Sequence, residues 1–124
     1  MLPYNYMHRK PLYISLVLAA LLLVLHLYAL HMFLYWHHRW FDIPMHILGG
    51  AAIGAFLLAF FSTRHAKFYF FCMALVVVGW EVFEYIGHIS TAQPNYWFDT
   101  AKDMVDGLIG AAVSFYFARR SLWH

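Results

Sequence analysis

Charge is what this chain has least of. Of its 124 residues only 11% are Asp, Glu, Lys or Arg, against 64% that are hydrophobic, whereas soluble domains carry about 25% charged residues. The mean hydropathy is +0.62. Charge this sparse leaves no stretch from which a soluble domain of useful size can be built, and it predicts one polytopic membrane domain. The single cysteine, Cys72, lies within a hydrophobic run, so no intrachain disulfide exists and the redox compartment stays open. A net charge of +2 is carried by basic residues standing singly or in pairs beside apolar runs. That pattern signals membrane topology and excludes a nucleic-acid partner. No segment alternates polar with apolar, and an open sheet cannot exist in lipid, so the fold class is all-α.

What the chain does have is hydrophobic runs of membrane-spanning length. Four transmembrane helices are predicted over about 12–36, 43–61, 68–89 and 99–118, in a compact bundle. A bilayer core of about 30 Å needs about 20 helical residues, which the first three supply readily. The fourth does so only with Asp103 and Asp106 inside it. The first span follows Arg9-Lys10 as a signal peptide would, but its apolar run exceeds the about 7–15 residues of a signal core, and no small-residue cleavage site follows. A retained first helix is expected. Arg9, Lys10, Arg64, Lys67, Arg119 and Arg120 fall on one side, and only Arg39 and Lys102 on the other. The positive-inside rule then places both termini in the cytoplasm. Tyr35, Trp36, Trp40, Phe41, Tyr96, Trp97 and Phe98 form an outer aromatic belt. The expected location is a cell membrane, the bacterial inner membrane, crossed several times.

With that topology all six acidic residues, Asp42, Glu81, Glu84, Asp99, Asp103 and Asp106, gather at the outer ends of spans two to four. At about 1.5 Å rise per residue, Glu81 and Asp106 lie roughly 10–12 Å deep, Glu84 and Asp103 roughly 6–8 Å, His46 roughly 5 Å and His31 roughly 8 Å. Glu81, Glu84 and His88 share one helical face at i, i+3 and i+7. Below the polar layer, Gly50-x-x-x-Gly54 and Gly107-x-x-Gly110 allow close helix approach. Some of these residues have plainer explanations. Asp42 precedes Ile43-Pro44 and reads equally well as an N-cap, and for Asp99 the cap is the favoured reading. His26 and Cys72 read as packing residues, and His37, His38, His65 and His124 as solvated. Glu81 and Glu84 lack such an explanation. They stand toward the C-terminal end of their helix, where the macrodipole disfavours anions. A charged residue at the centre of a bilayer span costs at least about 2.5 kcal/mol.

Two carboxylates about 4 Å apart repel by about 4 kcal/mol at an effective dielectric of 20. The acids therefore need shared protons or a bound divalent metal. Carboxylates joined by imidazoles suit Zn, Mn or Fe, and carboxylates with water suit Mg or Ca. The expected metal ligands are His46, Glu81, Glu84, His88, Asp103 and Asp106, with Glu81, Glu84 and Asp106 as the catalytic carboxylates. The Glu-x-x-His pairs of di-iron bundles are absent, since His88 follows Glu84 by four residues, and His-Glu-x-x-His is absent too.

Asp42-x-x-x-His46 followed by glycines, Glu81-x-x-Glu84, and Asp103-x-x-Asp106-Gly107-x-x-Gly110 together resemble small bacterial membrane proteins of the YjdF and VanZ-like kind, over about residues 40–116. The resemblance implies four or more helices and no transferable biochemical activity. VanZ-like proteins usually carry Asp-Lys before the histidine, so Asp42-Ile43-Pro44-Met45-His46 sits closer to the YjdF side.

Three functions fit the pattern. One is a metal-assisted hydrolase or transferase acting on a lipid-linked or envelope substrate at the outer leaflet. A second is a proton- or cation-coupled transporter subunit, which four short helices would form only as a homo-oligomer. The third is a non-catalytic accessory protein whose polar layer ties the bundle together or docks a partner. The metal site is the expected one.

Overall fold

The computed structural model describes residues 8–61, 65–87, 96–120 and 122–123. Residues 88–95, and with them His88, lie outside the described residues, as do Arg64 and His124. The chain runs as α1 (Arg9–His31), a short α2 (Leu34–His37), a 3-10 turn (Arg39–Phe41), α3 (Asp42–Leu58), α4 (Ala66–Ile86) and α5 (Tyr96–Arg119), with no strand among the described residues. Three helical stretches are long and apolar enough to cross a membrane: Arg9–His31, Arg39–Leu58 and Ala66–Ile86. Their windows are 11%, 39% and 17% buried, so α1 and α4 turn most of their apolar surface outward, as lipid contact requires. The 24-residue α5 carries Asp99, Lys102, Asp103 and Asp106 in its first half and an apolar second half.

Unbroken runs of Leu, Ala and Val carry α1 without an interior glycine or proline, and Pro11 falls in its first turn. Pro44 likewise falls in the first turn of α3, where a backbone N–H has no intrahelical partner to lose. The first span differs from the continuous helix expected to residue 36. It ends at His31, and Phe33 adopts the left-handed region at φ 55° before α2 begins. That single residue lets the chain reverse with no long loop.

α3 packs chiefly against α5 on one side and α1 on the other, and α4 lies mainly along α5. Glycine makes the α3–α5 contact possible. A Cβ on Gly50 would run into the backbone of Gly107, and one on Gly110 would meet the backbone of Ile47, so the two main chains touch where other helices hold side chains. Hydroxyls then tie the bundle to main-chain carbonyls. Ser114 Oγ donates to Ala51 O at 2.6 Å, Ser15 Oγ to Ala52 O at 2.9 Å and Tyr69 Oη to Ala111 O at 2.8 Å. Below this contact, Leu58, Tyr69, Met73, Ala111, Phe115 and Ala118 form the core at the inner end.

Candidate metal centre

The other end of the bundle is where α3 and α5 begin and α4 finishes. Asp42 and His46 are one turn apart on α3, so their side chains share a face, and His46 Nε2 stands 3.3 Å from Asp42 Oδ1. The glycine contact holds α5 close enough for Asp103 Oδ2 to lie 3.4 Å from the same Nε2. These three donor atoms fall within 4.8 Å of one another. Each contact is an ion pair when His46 is protonated, and the same three donors lie close enough together to share one metal ion.

Lys102 enters the same cluster. Its amine donates to Asp103 Oδ1 at 2.8 Å and to Asp106 Oδ2 at 3.3 Å. It also pairs with Asp42 Oδ2 at 3.7 Å and Asp99 Oδ1 at 3.9 Å. The lysine therefore holds Asp42 Oδ2 and Asp103 Oδ1, while Asp42 Oδ1 and Asp103 Oδ2 face His46. Asp99 and Asp42 sit in the first turns of their helices, where the macrodipole favours an anion. Lys102 is the fixed cation among the four aspartates, and His46 supplies a second when protonated.

The residues expected to ligate are placed as follows. His46 and Asp103 meet directly, and Asp106 joins them through Lys102. Glu81 is buried on α4 and, like Glu84, stands outside the triad. Glu84 is half-buried and accepts a hydrogen bond from Trp80 Nε1 at 3.0 Å, one turn back on its own helix, and it stands outside the triad. His31 is exposed at the end of α1, and His26 pairs with the Tyr35 hydroxyl at 2.9 Å.

Asp42 is the member that reading the chain divided between cap and ligand. The residue before α3 is Phe41, no side chain caps that helix, and Asp42 turns toward His46 instead. Asp99 lies inside α5 and pairs with Lys102 rather than standing before the helix. Lys102, one of two basic residues on the outer side, is the cation among the aspartates. Its spacing already held the signal, since Asp99 at i−3 and Asp106 at i+4 share its helical face.

No family model, curated protein or solved structure matches the chain.

Proposed function

We propose that this is a four-span membrane protein whose outward end binds a divalent metal of the Zn, Mn or Fe class through Asp42, His46 and Asp103. One observation carries that reading. A single imidazole nitrogen stands 3.3 and 3.4 Å from carboxylate oxygens on two helices, while Lys102 occupies the oxygens facing away. Mg and Ca prefer oxygen and water to imidazole.

Support for a fourth span comes from α5 itself. Its Asp103 and Asp106 are buried within the protein rather than presented to lipid, and its second half is apolar. Arg9, Lys10, Lys67, Arg119 and Arg120 cluster at the end opposite the site, which supports cytoplasmic termini and an extracytoplasmic site.

A metal held there lowers the pKa of bound water and polarises a carbonyl or phosphoryl oxygen. The reaction class this supports is hydrolysis or group transfer on a lipid-linked or envelope substrate entering from the outer leaflet. Glu84, beside Trp80, and Asp106, bonded to Lys102, are the carboxylates left to move protons. The test is elemental analysis of protein purified without chelators and reloaded with Zn2+, Mn2+ or Fe2+. Stoichiometric metal in the wild type, lost in His46→Ala and Asp103→Asn, is the expected result. A wild type that retains none under any loading condition refutes the proposal.

Lys102 favours a second reading. An amine within 4.0 Å of four carboxylates is suited to exchanging partners as protons or cations pass, as in a coupled transporter subunit. Flux into proteoliposomes that responds to neither pH nor cations removes it.

A further inference from the structure

Every acidic residue of the chain lies in the half of the bundle where α3 and α5 begin and α4 finishes. The opposite end is cationic. Arg9 and Lys10 in the first turn of α1, Lys67 in that of α4, and Arg119 and Arg120 after the apolar half of α5 are all exposed. The ion pairs among the described residues all involve Lys102 or His46, so none of these five cations meets a described carboxylate.

At α1 the cations stand over an apolar hollow. The start of this helix is fixed beside the end of α3, where His8 N donates to Ala59 O at 2.9 Å. Side chains four residues apart line up as ridges on a helix surface. Arg9, Tyr13 and Val17 make one such ridge, and Lys10, Ile14 and Leu18 make the next. Between them runs an open hollow of about 210 Å3, walled by Tyr13, Ile14, Val17 and Leu18. Both ridges therefore carry a cation at the inner end and apolar side chains from there outward. The other cations are placed differently. Arg120 lies over the ring of Tyr116, 5.6 Å from its centroid, and α4 offers Lys67 as the single basic residue of its length.

Topology asks only for positive charge beside the spans, and does not ask for a groove beneath it. Resting on the membrane-spanning reading but not on the metal, the geometry points to the N-terminal end of α1 as a binding site for one anionic phospholipid of the inner leaflet. Its phosphate meets Arg9 and Lys10, and one acyl chain follows the hollow between Tyr13–Val17 and Ile14–Leu18. The lipid is chosen by charge at the head and held by apolar contact along the tail.

The test titrates full-length protein in a non-ionic detergent with dioleoyl phosphatidylglycerol and counts bound lipid by native mass spectrometry. The wild type should hold one phosphatidylglycerol in preference to dioleoyl phosphatidylcholine. Arg9→Gln with Lys10→Gln should weaken that binding about thirtyfold, two cations at about 1 kcal/mol each. Val17→Ala, which lowers one wall, should weaken it about threefold. Arg9→Lys keeps the charge and should bind as the wild type does, which separates lost charge from lost folding. Inorganic phosphate should not displace the lipid. An equal loss in Arg119→Gln with Arg120→Gln shows diffuse attraction and overturns the α1 site. Equal binding of phosphatidylcholine, or displacement by phosphate, overturns the lipid assignment. A wild type that alkaline carbonate strips from phosphatidylcholine vesicles refutes the membrane-spanning reading, and this inference with it.

Discussion

The two ends of the α3–α5 pair are built on opposite principles. At the inner end small residues let the backbones touch, and each hydroxyl, from Tyr69 to Ser114, finds a carbonyl. Toward the outer end the same two helices meet through aspartates, a histidine and a lysine. The inner end is held by packing and hydroxyl–carbonyl bonds, the outer end by ion pairs around Lys102 and His46. It is at this outer end that the proposed metal would bind.

Breaking the tight contact should have the largest effect. Gly50→Ala puts a methyl group into the Gly107 backbone, which cannot yield as a side chain can. We expect a loss of about 3 kcal/mol, visible as a lower thermal midpoint in detergent, together with loss of metal binding as Asp103 draws away from His46. Lys102→Met comes next. Removing the cation leaves four aspartates facing one another and should destabilise the metal-free protein by about 2 kcal/mol, below the value for a fully buried pair because the lysine is part-exposed. Saturating divalent metal should close most of that gap. A deficit unchanged by metal would show that the lysine and the metal do not share the same carboxylates. Tyr69→Phe, at the inner end, should cost about 1 kcal/mol through the lost hydroxyl bond and leave metal affinity unchanged. Gly79→Ala should have the smallest effect. No atom lies within 4 Å of its added methyl group, so a gain of about 0.5 kcal/mol in helix stability is expected.

Much of this was legible from the residues alone, and what escaped did so for identifiable reasons. Hydropathy over about 20-residue windows finds α1, α3 and α4, because solvation by lipid is a property of composition. The glycine spacings of α3 and α5 announce close approach, since few other roles demand them. The break at Phe33 has no herald. Neither glycine nor proline stands near it, and Leu30-His31-Met32-Phe33 is as helical in propensity as what precedes it. Asp42 was divided because capping and ligation ask for the same residue type, and only the α5 face opposite tells them apart. The pairing of Lys102 with Asp42 was not legible, because depth along a helix says nothing about which neighbouring helix a side chain meets.

The reversal at Phe33 also governs where the proposed metal site can lie. Residues 32–41 bridge α1 and α3 with almost no slack, and they are dense with rings: Tyr35 meets Phe41 edge-on at 5.6 Å, and Phe33 leans on Trp36 at 5.6 Å. In a bilayer such rings settle at the headgroup level. Since Asp42 follows the last of them without a spacer, this strap acts as a float, setting how far below the water line His46 and its carboxylates hang.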